Sequence, residues 1–215
     1  MVYIVKKMEK GVQPYQFDGE FDPKKPFMPY EALNEAEIAD YEWFDKYPVS
    51  FPAFARVGWN EDGLFVLMYA KEETICKEVY QWGSLQCMDS CMEFFVCPFP
   101  ESDDRYLNIE INPIPTAHVG LGNGRYERAV YDGPVEGMDI TVSRHEGKYW
   151  AISYRIPAKL LKEIFGKELA GGQKMRANFF KCSGTIHPHF GTWNHVTTEK
   201  PDFHTPDCFG ELILE

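Results

Sequence analysis

Two short runs joined by a polar loop constrain this chain most. Within residues 86–112, the run 91–97 reads Cys-Met-Glu-Phe-Phe-Val-Cys and the run 106–112 reads Tyr-Leu-Asn-Ile-Glu-Ile-Asn. In the second run Leu107, Ile109 and Ile111 alternate with Tyr106, Asn108, Glu110 and Asn112, the period of a strand with one apolar and one polar face. In the first, Met92, Phe94 and Val96 alternate with Cys91, Glu93, Phe95 and Cys97. Pairing the two runs antiparallel through the loop 98–105 places Glu93, Asn108 and Glu110 on one sheet face. That face is either the solvated side of an ordinary sheet or a polar ligand surface.

The rest of the chain argues for more sheet around this pair. Residues 54–59 and 64–71 are apolar runs separated by Asn60-Glu61-Asp62-Gly63, a hairpin turn. Residues 64–71 are apolar at both parities, so this strand is expected to be central and covered on both faces. Further strands are expected at 2–6, on an edge, and at 117–121, 140–144, 148–156, 175–181 and 209–214. Pro157 opens a short helix over 158–165, with Leu160, Leu161 and Ile164 on one side and Gly166 as its stop. One or two helical turns are expected in 30–44. Nine or ten strands with brief helices predict an all-β fold, an antiparallel jelly-roll β-sandwich. At 215 residues the chain is expected to form a single domain over 1–215, with an N-terminal wrapping segment over 1–45 rich in Pro, Gly and Asp.

A formal net charge of −11 removes the usual attraction to phosphate backbones and anionic lipid, so neither nucleic acid nor a membrane surface is an expected partner. The N-terminus carries no apolar signal core and no stretch is long enough to span a bilayer. A cytoplasmic address is therefore expected for the chain as it stands, and an extracytoplasmic one if a signal has been removed. The six cysteines, at 76, 87, 91, 97, 182 and 208, match no zinc spacing and are expected to be mostly free, small core hydrophobes.

Several segments taken in order carry a resemblance: Gly58-Trp59 with Gly63-Leu64-Phe65-Val66; residues 89–96, Asp-Ser-Cys-Met-Glu-Phe-Phe-Val; residues 108–112; Tyr154-Arg155-Ile156-Pro157; Arg176-Ala177-Asn178-Phe179; and Phe203-His204 followed by Pro206 and Phe209-Gly210. The ordered set, over about the last three quarters of the chain, resembles carbohydrate-binding module family 9 and similar bacterial proteins. The resemblance implies a jelly-roll sandwich that holds a mono- or oligosaccharide without cleaving it. Two aromatic rings would flank the pyranose, and a carboxylate, an amide and a cation would bond its hydroxyls. It implies Glu93 as the carboxylate, Asn108 and Glu110 on the neighbouring strand, and Arg176 and Asn178 on a later one. Where family members place the first ring this chain has Cys87 and Met88, and the nearest ring is Trp82. The second ring falls on Phe203, with Trp193 the other candidate.

Each of these rings also has a packing role open to it: Trp82 on the sandwich edge, Trp193 in the core, Phe203 paired with His204. Asp89 is expected to organise its loop by bonding backbone amides. Sugars present apolar C–H faces and a rim of hydroxyls, which flat rings with fixed amides and carboxylates complement. The resemblance also implies structural calcium, for which the acidic loops 60–62 and 101–104 are the candidates, and a carbohydrate-active enzyme as a possible partner. Two other functions remain open: a glycoside hydrolase using Glu93 and Glu110 as paired carboxylates, and haem held by Met92 with His118 or His189.

Overall fold

The computed structural model describes all 215 residues. Its strands are β1 (Val2–Lys7), β2 (Ala36–Glu37), β3 (Ala53–Asn60), β4 (Gly63–Lys71), β5 (Cys91–Cys97), β6 (Tyr106–Ile111), β7 (Ala117–Gly122), β8 (Arg128–Val130), β9 (Thr141–Ser143), β10 (Tyr149–Pro157), β11 (Lys174–Ser183), β12 (His189–Thr192) and β13 (Gly210–Leu214). One helix, α1 (Ala158–Phe165), follows β10 and ends at Gly166, whose φ of 66° suits a residue without Cβ. The strands form a β-sandwich. One layer runs β8-β7-β6-β5-β11-β13-β1 and the other β1-β3-β4-β10-β9, with β12 beside the second half of β11 and β2 beside β3.

β1 is not on an edge. Its first residues pair in parallel with β13, Val2 opposite Glu211 through Val5 opposite Leu214, and its last two with β3, Lys6 opposite Gly58 and Lys7 opposite Trp59. One strand therefore joins both layers, and these two pairings are the only parallel ones in an otherwise antiparallel sandwich. Tyr3 and Val5 point into the core between the layers, which an edge strand with one solvated side would not require. The helical turns expected in 30–44 reduce to one short 3₁₀ turn, Tyr30–Ala32, because this segment follows the sandwich surface and contributes β2 to its sheet.

Strand sidedness places the apolar residues in three groups. The inner core takes Met92, Phe94 and Val96 of β5, Leu107, Ile109 and Ile111 of β6, and Leu64, Val66 and Met68 of β4. On the outer side of β4, Phe65, Leu67 and Tyr69 are covered by Phe21, Phe27, Tyr30 and Leu33 of the N-terminal segment. That wrap is tied down by the amides of Tyr15 and Phe21, which donate to the hydroxyls of Ser153 and Ser143 at 2.8 and 3.0 Å. The double coverage explains the two-sided apolar pattern of residues 64–71. On the outer side of the other layer, Phe95, Tyr106 and Phe180 are covered by Trp43, Val196, Phe203 and Phe209. Burying Trp150 (0% exposed) and Trp59 (3%) in the inner core fits their apolar neighbours.

One ion pair lies inside this frame. Lys181 Nζ is 2.8 Å from Glu72 Oε1, with both side chains fully enclosed. Glu72 also accepts from Trp150 Nε1 and Ser90 Oγ, each at 2.7 Å, and Lys181 donates to Cys182 O at 3.0 Å and to His189 Nε2 at 2.8 Å. Every polar group in the set is thus paired, which is the condition for tolerating buried charge. Replacing Lys181 by Met leaves Glu72 as an uncompensated buried charge, and chemical denaturation is expected to show a loss of about 3–5 kcal/mol. Burial, and then the adjacent Lys181 charge, push His189 down to about 2. The unfolded chain takes up a proton near pH 6.5 that the native ring refuses. The neutral ring's contribution is therefore complete above that pH and lost as pH falls toward 2. Denaturation at about pH 4.5 and pH 7 is expected to show wild type losing about 2–3 kcal/mol more on acidification than His189→Gln.

Candidate functional site

The register of four neighbouring strands builds the site. Phe180 of β11 stands opposite Glu93 of β5, Glu93 opposite Glu110 of β6, and Glu110 opposite His118 of β7. All four share the outer face of their layer, because each occupies the parity opposite to the core residues of its strand. Glu93 and Asn108 do lie on one face with Glu110, as strand alternation requires. Phe95 and Asn108 form the next row, and beyond Asn108 stands Gly120. A Cβ at Gly120 would meet Asn108 Oδ1 at 2.2 Å, so only glycine lets the amide lie across β7.

A cleft of about 250 Å³ opens over this row, a volume at the small end for ligand pockets. Glu93, Glu110, His118 and Cys182 form its floor. Leu85, Cys87 and Met88 of the 81–90 loop, Arg125 and Arg128, and Phe190, Pro201, Phe203 and His204 also line it. The floor is buried: Glu93 is 2% exposed, and Glu110 and His118 are 5% exposed. Cys182 Sγ donates to Glu93 Oε1 at 3.0 Å, and Asn108 Nδ2 donates to Glu110 Oε1 at 2.9 Å. Each carboxyl therefore keeps its second oxygen for the cleft. His118 Nδ1 donates to the carbonyls of Ser84 and Gly83 at 3.0 and 3.2 Å, while its Nε2 is buried with no protein partner. A buried nitrogen without a partner is costly, and a ligand hydroxyl would satisfy it.

The electrostatics follow from burial and adjacency. Burial, then the neighbouring Glu110, hold Glu93 well above the usual carboxylate range. Burial also raises Glu110, against the opposing pull of His118 and Arg128. Two carboxyls this close resist ionising together. Arg125 is held by Asp202 at 2.7 Å. Arg128 donates to His204 Nε2, and His204 Nδ1 lies 2.7 Å from Tyr106 Oη. Burial and the two arginines push His204 down to about 3, so it is a neutral acceptor for Arg128.

The residues singled out in the sequence divide sharply. Glu93, Glu110 and Phe203 line the cleft. Asn108 does not reach it; its amide fixes the Glu110 carboxyl. Asn178 is turned to structure as well. Its Oδ1 accepts from the amides of Phe179 and Asn194 at 2.9 and 2.8 Å, and its Nδ2 donates to Asn194 O at 2.8 Å. Arg176 donates to Pro206 O. Both side chains thereby anchor the 193–209 segment, which carries Phe203 and His204 to the cleft. Trp193 is 5% exposed in the inner core, edge-on to Tyr3 and Phe179. Trp82 is half-buried against that same core, while the carbonyls beside it hold His118.

Neither tryptophan borders the cleft. The 81–90 loop bends inward through the bond from Gly83 N to Ala117 O, 2.8 Å, and this turns Trp82 toward the core. Leu85 and Met88, 60% and 38% exposed, stand on that side instead. Phe203, also in the lining, has one face taken by Phe180, with centroids 4.1 Å apart and planes within 11°. His118, Arg125, Arg128 and His204 complete the site beyond the residues read as ligands. Of these, His118 was open to discovery, since the alternation in 117–122 puts it on the same face as Glu110.

The other sequence candidates are accounted for. Asp89 takes the amides of Glu78 and Val79, both at 2.9 Å, and Asn112 Nδ2 at 2.8 Å, organising the loops that border the cleft. All six cysteines are free thiols, with Cys87 and Cys208 only partly buried. The acidic loops do not fit a calcium ion. Glu61 is turned to Lys7 at 2.7 Å, Asp103 to Arg105 at 2.6 Å and Asp104 to Asn123 at 2.9 Å, and neither loop brings three acidic side chains together. Met92 belongs to the inner core, on the opposite face of its layer from His118, and His189 is bonded to Lys181, so no Met–His pair is placed to hold haem.

The sequence matches the description of carbohydrate-binding family 9 over residues 25–214, and the chain belongs to that family. Among solved structures, a candidate carbohydrate-binding protein from Bacteroides uniformis is similar over 100% of this chain and 99% of its own, at 24% identity and a TM-score of 0.76. A family 9 module from Caldicellulosiruptor kristjanssonii, solved with glucose, aligns over 100% of this chain and 96% of its own, at 14% identity and a TM-score of 0.65. The same organism's module with cellotriose aligns over 100% and 94%, at 14% identity and a TM-score of 0.66. No curated protein matches the chain. The core placement of Trp193 makes a direct prediction: Trp193→Ala is expected to lower the unfolding free energy by about 3–5 kcal/mol in urea titrations, as for a buried ring.

Proposed function

We propose that this protein binds a mono- or oligosaccharide without cleaving it, in the cleft over Glu93, Glu110 and His118. The observation that carries this reading is the pairing of two surfaces within one small cavity. A floor of three buried polar groups retains free hydrogen-bonding atoms, and apolar Leu85, Met88, Phe190 and Phe203 line the same cleft. A pyranose offers that same combination, hydroxyls around its edge and C–H groups on its faces. Because Cys87 and Met88 stand where family members place a ring, apolar contact from Met88 and its neighbour Leu85 replaces ring stacking there, and Phe203 with Phe190 supplies the aromatic contact. The Caldicellulosiruptor module's complexes with glucose and cellotriose support a sugar of this size as ligand.

The paired carboxyls do not favour hydrolysis. A glycosidase sets its two acids on either side of the scissile bond. Here Glu93 and Glu110 are adjacent in one row of the floor, so both meet a ligand from the same side. A carbohydrate-active enzyme is the proposed partner, through a shared glycan substrate.

Calorimetric titration with glucose, cello-oligosaccharides and a broader glycan set tests the proposal. Wild type is expected to bind at least one sugar. Glu110→Gln and Phe203→Ala are each expected to weaken that binding tenfold or more, the scale of a lost hydrogen bond to an ionisable group or of a lost apolar wall. No binding to any glycan, or unchanged affinity in both variants, contradicts the reading.

A further inference from the structure

At the Glu93 end of the cleft lies a cluster of donors that adds two thiols, which sugar recognition does not use, to the Glu93 carboxyl. Cys182 of β11 stands directly opposite Cys91 of β5, and Glu93 follows two residues after Cys91 on the same strand face. The register therefore points two thiols and a carboxyl to one spot. Their donor atoms all lie within 4.8 Å of one another, and all three residues are buried. Cys182 Sγ already approaches Glu93 Oε1 to 3.0 Å.

We propose that Cys91, Cys182 and Glu93 form a site for a thiophilic divalent cation of the zinc type. In a tetrahedral zinc site, with Zn–S near ~2.3 Å and Zn–O near ~2.1 Å, neighbouring donors are separated by roughly 3.5–3.8 Å. Reaching that size takes a contraction of about 1 Å at most on the longer edges and a widening of the 3.0 Å Cys182–Glu93 edge by roughly half an ångström, within reach of side-chain rotation. The donor set selects the metal. Thiolates favour zinc and its soft neighbours, whereas calcium and magnesium require oxygen ligands throughout. Cys182 and Glu93 also line the cleft, so the fourth coordination position opens toward it rather than into the core. Three protein ligands with one open position describe a site whose last ligand exchanges. Binding releases the two thiol protons, and the Glu93 proton where the carboxyl carries one, to solvent, and the two thiolates and the carboxylate then hold the cation.

The site is distinct from the other cluster of possible donors, Asp40, Glu42 and His195. That cluster lies at the surface, contains no thiol, and is already joined by the His195–Asp40 contact at 2.7 Å. Its chemistry predicts no sulfur-to-metal signal. The inference shares Glu93 with the sugar reading but is read out by metal alone, so its failure and that of the sugar reading are distinguishable.

The reduced full-length protein is titrated with Co²⁺ under anaerobic conditions and then with Zn²⁺. One equivalent of Co²⁺ is expected to produce sulfur-to-cobalt charge-transfer absorption, which Zn²⁺ abolishes by displacement. Cys91→Ser and Cys182→Ser are each expected to remove that absorption, and Glu93→Gln to weaken metal binding tenfold or more. His195→Ala and Cys208→Ser are expected to leave both unchanged. X-ray absorption at the zinc edge of the wild-type protein keeps the test decisive should the serine variants fail to fold. Two sulfur scatterers near ~2.3 Å are expected. A shell of oxygen and nitrogen alone, the absence of a charge-transfer band in wild type, or a band that persists in both serine variants overturns the proposal.

Discussion

Every feature of the cleft depends on one register, the antiparallel pairing in which Glu93 of β5 stands opposite Glu110 of β6. Side chains in a strand alternate between faces, so this single alignment sends Met92, Phe94, Leu107 and Ile109 to the inner core and both acids to the outer face. A slip of one residue would exchange the two sets, burying the acids among apolar side chains and exposing the core. The apolar inner set makes that slip prohibitive. The hydrophobic core thus fixes the geometry of the polar site, although none of its residues touches the cleft.

The outer face of that layer is mostly closed. Trp43, Val196, Phe203 and Phe209 cover Phe95, Tyr106 and Phe180, and the cover stops at the row of Glu93, Glu110 and His118. The segment that brings most of this cover is held by side chains rather than by strand pairing. Asn178 clamps Asn194, Arg176 holds Pro206, and Trp43 Nε1 donates to Thr198 O at 2.7 Å. Residues that resemble sugar ligands by position therefore act one step removed, by fixing the wall that a ligand would meet. Leaving His118 Nε2 and two carboxyl oxygens without protein partners costs stability, which is the pattern expected where a fold keeps groups available for binding.

Local signals were read with most success where the information itself is local. The helix 158–165 has its limits written in Pro157 and Gly166, and the hairpin around residues 60–63 in its turn residues. The shared face of Glu93, Asn108 and Glu110 follows from a period of two. What depended on distant packing was hidden. β1 looks like an edge strand because nothing in six residues shows that it enters the seam between two layers. Trp193, between Thr192 and Asn194, leaves core and site roles equally open in the sequence because distant pairing sets its place: Asn194 exchanges bonds with Asn178, and the backbone of Thr192 pairs with that of Asp40. Arg125, Arg128 and His204 reach the site from separate loops, and their convergence has no signature along the chain. β12, only four residues long and beginning directly after Pro188, carries too little periodicity to be found.

The most direct measurement is a crystal structure of the protein soaked with a sugar that calorimetry shows to bind. The account predicts one sugar ring between Leu85 and Met88 on one side and Phe190 and Phe203 on the other, with hydroxyls bonded to Glu93, Glu110 and His118 Nε2. A sugar found instead beside Trp82, or elsewhere on the surface with the cleft empty, contradicts it.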